Sequence, residues 1–295
     1  MSSRHATPSQ ELSAVSAGHP LSRCQEGTQD EAFVELHQVS FNYGDRRVLS
    51  DVSMRFPRGK VTAILGGSGC GKTTLLHLVA GVHAPCSGHL TLEGEHFDAT
   101  DKTQLHALRR RLGMLLQFGA LFTDLTVYEN VAFALREHTD LGEPAIRDIV
   151  LMKLNAVGLR GAANLRIDQL SGGMARRIAL ARAIALDPEL LLYDEPFSGL
   201  DPISLGVIAN LIRSLNDATS ATTLMVTHDV RESFAVCDYA YLMTSGGRLI
   251  ARGTPAELQA SSDPEVRQFI RGEPDGPVRF HYPAEPIDEQ LGRTQ

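Results

Sequence analysis

The sequence has little that would thread it through a membrane, lock it into a disulfide framework or draw it to nucleic acid. Its four cysteines, Cys24, Cys70, Cys86 and Cys237, form no C-x-x-C pair, which removes the usual zinc and dithiol signatures. Scattered thiols fit a reducing compartment. No apolar run approaches the ~18–20 residues of a membrane-spanning helix. The net charge is −7, so no broad positive field favours nucleic acid. The run "RRR" at 109–111 reads as a solvated helix face. The first 30 residues are polar and lack the apolar core of a signal peptide. Residues 1–32 are therefore expected to be a disordered tail. What remains is a cytoplasmic protein, or one held at a membrane only through partners.

What is present is a chain of 295 residues, 43% hydrophobic, enough for a sizeable core. Ordered structure is expected from about residue 33. "AFVELHQVSFNYG" and "RVLSDVSMRF" read as strands around a Gly-Asp turn, and "GHLTLEGEHF" as a hairpin. "KVTAIL", "ELLLYDEP" and "TTLMVTHD" are short apolar runs suited to buried strands, and "KTTLLHLVAGVH" and "ISLGVIANLIRSLND" read as helices. Strand and helix in alternation argue for an α/β fold with a parallel sheet. From about 120 to 186 the pattern is mostly helical, as in an inserted helical subdomain. Pro144 marks a helix start there and Gly158 a stop. The ordered domain is expected over 33–272, and 273–295 as an extended proline-containing tail.

The chemistry begins at "GGSGCGKT", residues 66–73. It follows a strand and opens a helix, the context in which glycine N–H groups wrap phosphate oxygens. Gly66, Gly67, Ser68, Gly69, Cys70, Gly71, Lys72, Thr73 and Thr74 are the candidate nucleotide-binding residues. The helix N-terminus adds positive potential. Lys72 is placed to reach the β- and γ-phosphates, and Thr73 to ligate Mg²⁺. Cys70, beside Lys72 and a helix N-terminus, is expected to be a reactive thiolate.

"LLLYDEP" supplies a metal carboxylate, Asp194, and a general base, Glu195. His228, closing a second strand, is placed to contact the γ-phosphate and hold the water. Gln117, after "GMLL", is placed to sense Mg²⁺ and water through its amide. Tyr43 is a candidate for stacking on adenine. Ser171, Gly172 and Gly173 in "LSGG" precede a long helix and make a second anion site. One phosphate is not easily wrapped by both loops of one molecule. Two molecules head to tail, with two ATP molecules between them, remove the difficulty.

Phosphate loop, Gln117, "LSGG", "YDEP", "SGLD" and His228, in that order, resemble an ATP-binding cassette ATPase over about residues 33–260. The resemblance implies a P-loop NTPase fold with a mixed sheet core, an antiparallel β subdomain and an inserted helical subdomain. It implies ATP and Mg²⁺ as cofactors, the latter held by Thr73, Gln117 and Asp194. It also implies a homodimer that ATP closes and hydrolysis opens. Ser171 and Gly173 then complete the partner's site, and "SGLD" with Asp201 crosses the interface.

A narrower likeness lies in "QFGALFTDLTVYENVAFALREHTDL", "MKLNAVGLRGAA" and "DGPVRFHYPA". These stretches are similar to the ATPase subunits of Mla-type (MCE) phospholipid transporters. Met174 stands where most cassettes carry glutamine, as it does in that group, and Gln169 replaces a common acid. The implied function is ATP hydrolysis driving phospholipid transport, on the cytoplasmic face of the bacterial inner membrane. The implied partners are integral permease subunits, MCE-domain and small accessory subunits, with no nucleic acid. Permease helices are expected in the groove near Leu121 and Phe122. In the tail, Val278, Phe280 and Tyr282 alternate and are expected to dock on a mate or accessory subunit. Rival readings are an ATPase for another solute, a cassette acting on DNA or ribosomes, and a P-loop GTPase or kinase. The last leaves "LSGGM" without a role.

Overall fold

The computed structural model describes residues 31–278. Cys24, the N-terminal tail, and Phe280 and Tyr282 lie outside the described residues. β1 (Ala32–Tyr43) and β2 (Arg46–Pro57) form a long antiparallel hairpin turned at Gly44, φ 56°. β3 (Val61–Gly66) leads into α1 (Lys72–Val79). β4 (Ser87–Leu92) and β5 (Glu95–Phe97) complete a four-stranded antiparallel sheet in the order β2-β1-β4-β5.

α2 (Lys102–Arg111) follows, with Asp101 as N-cap, and then β6 (Leu112–Leu115). The helices of the next stretch are α3 (Val127–His138), α4 (Glu143–Ala156) and α5 (Gly172–Ala183). α3 opens on a Thr126/Glu129 capping box, and α4 has Pro144 in its first turn. β7 (Leu190–Asp194), α6 (Pro202–Thr219), β8 (Thr222–Thr227), α7 (Val230–Val236), β9 (Tyr239–Thr244), β10 (Arg248–Gly253), α8 (Pro255–Gln259) and α9 (Pro264–Arg271) finish the described chain.

The second sheet runs β10-β9-β3-β8-β7-β6. All its pairs are parallel except β10 with β9. Its central strands are apolar on both faces because both faces are covered. Along β3, Val61, Ala63 and Leu65 pack toward the helices α3 to α6, whereas Ile64 packs toward α1 and the antiparallel sheet. β7 divides the same way, with Leu191 and Tyr193 on one side and Leu190 and Leu192 on the other.

Arg111 does not share the solvated face expected of its run. Its guanidinium pairs with Glu189 at 2.7 Å and Glu93 at 2.8 Å. Arg58 joins the same cluster through Glu93, and both arginines lie over the Phe33 ring. Arg109 and Arg110 are exposed. Among the described residues no helix is long and apolar enough to cross a membrane.

Candidate functional site

Adjacent parallel strands β3, β8, β7 and β6 deliver their carboxyl ends to one edge of the sheet, the usual ligand position in open α/β folds. The loop after β3 turns sharply into α1. Gly71, the N-cap, has φ 101°, and a Cβ there would come within 2.8 Å of Leu49 Cδ2. Only glycine fits. Lys72 is buried, and its Nζ donates to the carbonyls of Gly66 at 2.8 Å and Gly67 at 3.1 Å. The same ammonium lies 3.5 Å from Glu195 Oε1.

Thr73 donates its hydroxyl to Asp194 Oδ1 at 3.1 Å. Burial pushes the Asp194 carboxyl up; the Thr73 hydrogen bond opposes that, and the neighbouring Glu195 charge adds to it. Glu195 follows the end of β7 at φ 47° and donates its N–H to Val226 of β8 at 2.8 Å. That unusual backbone turns its carboxylate toward His228, whose Nδ1 lies 2.9 Å from Oε2. The His228 backbone N–H also donates to Oε2, at 3.3 Å. Asp229 Oδ1 stands 3.9 Å from the far ring nitrogen.

A cavity of about 390 Å³ lies over the loop and brings Tyr43, Ser68, Lys72, Thr73, Gln117 and Glu195 together. Tyr43 is half-exposed and meets Phe41 edge-on at 4.9 Å. Its hydroxyl is 3.2 Å from His83 Nε2. Arg46 and Val48 line the same cavity. The sequence reading missed these two and His83; the signal for Arg46 and Val48 was their place just after the Tyr43 turn.

Ser171, Gly172, Gly173 and Asp201 do not line that cavity. Ser171 caps α5, accepting from the Met174 N–H at 3.2 Å. Gly173 packs so tightly that a Cβ would lie 2.5 Å from Ser204 Oγ, whereas a Cβ on Gly172 would meet nothing within 4 Å. Met174 is half-buried against the helical core. Gln169, in place of an acid, accepts from the Arg166 N–H at 2.9 Å. Asp201 caps α6 through the Ile203 and Ser204 N–H groups, each at 3.0 Å. Hydrogen bonds from Ser204 hold its carboxyl below the usual range.

The expected thiolate at Cys70 is corrected. Its side chain is buried in the apolar cluster with Leu49 and Leu75 and lies close beneath Gly66. Burial pushes the thiol up, outweighing the pull of the Lys72 charge. Only the Cys70 backbone remains available to the phosphate loop.

A glycine-rich strand-to-helix turn, its lysine, and a hydroxyl–aspartate pair joining the start of α1 to the end of β7 define a P-loop nucleoside triphosphatase. Residues 49–198 match the family described as ABC transporter. The chain is 50% identical, over 89% of its length and 99% of the relative's, to the intermembrane phospholipid transport system ATP-binding protein MlaF of Haemophilus influenzae. It superposes on cbiO1 of Clostridium perfringens, part of the ABC transporter complex cbiONQ, with TM-score 0.73 and 28% identity. That superposition spans 89% of this chain and 97% of cbiO1. It also superposes on the dimeric bacterial ABC transporter cassette MJ0796, with TM-score 0.69 and 27% identity. Here 75% of this chain and 98% of the cassette are covered. The chain belongs to the ABC transporter ATPases and hydrolyses ATP.

Proposed function

We propose that this chain powers phospholipid transport as the nucleotide-binding subunit of a bacterial inner-membrane transporter, held at its cytoplasmic face by permease subunits. The observation that carries the reading is the 50% identity along almost the whole of a phospholipid-transport ATPase. The cassette proper would be residues 33–272, with 120–186 as its helical subdomain.

Catalysis would be shared between two copies of the chain. In the cis half, Tyr43 stacks the base, and the Gly66–Gly71 N–H groups and Lys72 hold the phosphates. The oxygens of Thr73 and Asp194, with Gln117 on the same cavity, form a hard donor set suited to Mg²⁺. Bound there, the ion would neutralise phosphate charge. The trio Glu195, His228 and Asp229 also brings three donor groups within 4.8 Å. It offers a nitrogen and the base itself, so it suits the ion less. Glu195 takes the proton of the attacking water, with His228 fixing the carboxylate.

The trans half is Ser171 to Gly173. Nothing among the described residues demands the bare backbone of Gly172, which supports an approaching phosphate from a mate. Asp201 would lie beside it at the interface. Phe118, 91% exposed, and the Phe122–Phe133 pair at 4.8 Å offer permease helices an apolar seat beside Gln117. MCE-domain and accessory subunits would complete the assembly.

The test is purification of the tagged chain from native membranes with identification of bound proteins and lipids. A permease with phospholipid is the expected result. A permease carrying a different solute would overturn the lipid assignment and leave the ATPase.

A further inference from the structure

Two arginines on α5 both direct donors at the loop of residues 116–120. Arg176 is buried, and its Nη1 donates to the carbonyls of Leu116, at 3.2 Å, and Gln117. Its Nη2 donates to the Ser198 carbonyl at 3.1 Å, in the "SGLD" turn. Arg182 donates to Ala120 at 2.8 Å and Gly119 at 2.7 Å, and lies over the Phe122 ring.

Among the described residues neither guanidinium has a carboxylate within 4.0 Å. A buried cation met only by peptide carbonyls is an expensive arrangement, so its hydrogen bonds, not a salt bridge, hold it in place. Burial pulls Arg176 below its ordinary range, and the Asp194 charge opposes that. The loop needs such a clamp: Gly119 and Ala120 are both left-handed, at φ 73° and 46°. The planar fork of arginine reaches carbonyls on two segments at once, which a lysine ammonium does not reproduce.

We propose that Arg176 is a positioning residue for Gln117. It pins the Gln117 peptide so that the amide faces the nucleotide cavity, and it ties that position to α5 and the "SGLD" turn. Arg176 lies little more than one helical turn from the Ser171 cap. Any displacement of the α5 N-terminus therefore carries the Gln117 loop with it. The inference rests on the reading that Gln117 acts on bound nucleotide.

The experiment is a double-mutant cycle on the full chain, with ATPase kinetics, ATP binding and melting measured for each variant. Arg176→Gln should lower kcat about ten- to a hundredfold, as misplacement of a working group does. KM should stay within about threefold, because uniform binding is untouched. The decisive result is the pair: Arg176→Gln with Gln117→Ala should be no slower than Gln117→Ala alone, since one acts through the other. Additive losses would overturn the proposal while leaving Gln117 in its role. Wild-type turnover in Gln117→Ala would remove that role and this proposal together. If Arg176→Gln does not fold, Arg176→Lys carries the cycle. If neither folds, Arg176 is a structural staple and the proposal is wrong.

Discussion

Two buried tyrosines on neighbouring parts of one sheet should respond oppositely to loss of the same atom. Tyr193 on β7 is fully buried, and among the described residues its hydroxyl has no hydrogen-bond partner. Tyr241 on β9 is also buried, but its hydroxyl accepts from the Arg55 N–H and donates to the Arg55 carbonyl, each at 2.9 Å. An unsatisfied buried polar group costs about 1–3 kcal/mol, whereas a made hydrogen bond is worth about 1 kcal/mol net.

Tyr193→Phe removes the orphan and should raise stability by about 1 kcal/mol, offset slightly by the lost volume. Tyr241→Phe strips two bonds that join β2 to β9 and should cost about 1–3 kcal/mol. For a chain of this size each kcal/mol corresponds to about 2–4 °C in Tm. Urea unfolding of the two variants and the parent supplies the free energies, and ATPase turnover checks that Asp194, next to Tyr193, has not moved. Destabilisation of Tyr193→Phe by as much as Tyr241→Phe would refute the reasoning, because it would mean the Tyr193 hydroxyl is bonded after all.

Glu195→Gln should lose about 10²–10⁴ in turnover, the usual share of a general base, while ATP binding survives and the closed dimer accumulates. Sizing and cross-linking with ATP check this, and a monomer in both would sink the composite site. Ser171→Arg should stop hydrolysis without weakening ATP binding to the phosphate loop; equal loss of both, by titration with labelled ATP, would place "LSGG" in the cis site. A thiol reagent at neutral pH should modify the exposed Cys86 and spare Cys70 and Cys237, whose thiol burial pushes up to about 12. Mass mapping of the folded chain reads this directly, and early labelling at Cys70 would contradict its place in the core.

The elements that were legible had an unambiguous local signal. β3, β7 and β8 announce themselves as short apolar runs because the sheet is covered on both faces, and α4 by its proline and its glycine stop. The phosphate loop was legible because its chemistry needs contiguous residues. The capping signals "TPAE" at 254–257 and "DPE" at 263–265 were available for α8 and α9 but were not read. Cys70 was misread for a physical reason: sequence neighbours give the local potential but not the direction of a side chain, and this one points into the core. The clamp of Arg176 was invisible for a similar reason. Its acceptors are backbone carbonyls 60 and 22 positions away in the chain, and any residue supplies a carbonyl.

Glu195 sits in a backbone conformation that suits glycine, at φ 47°. A side chain there carries a penalty of about 1–2 kcal/mol. The strand end must nevertheless place a carboxylate between Lys72 and His228, and the left-handed turn is what aims it. Glu195→Gly would relax that backbone, but it would also leave the buried Lys72 ammonium without its carboxylate, a loss of about 3–5 kcal/mol that exceeds the strain relieved. The base that catalysis needs is thus also the counter-charge that folding needs, and a library ranked only by thermal survival is expected to keep Glu195 rather than trade it for glycine.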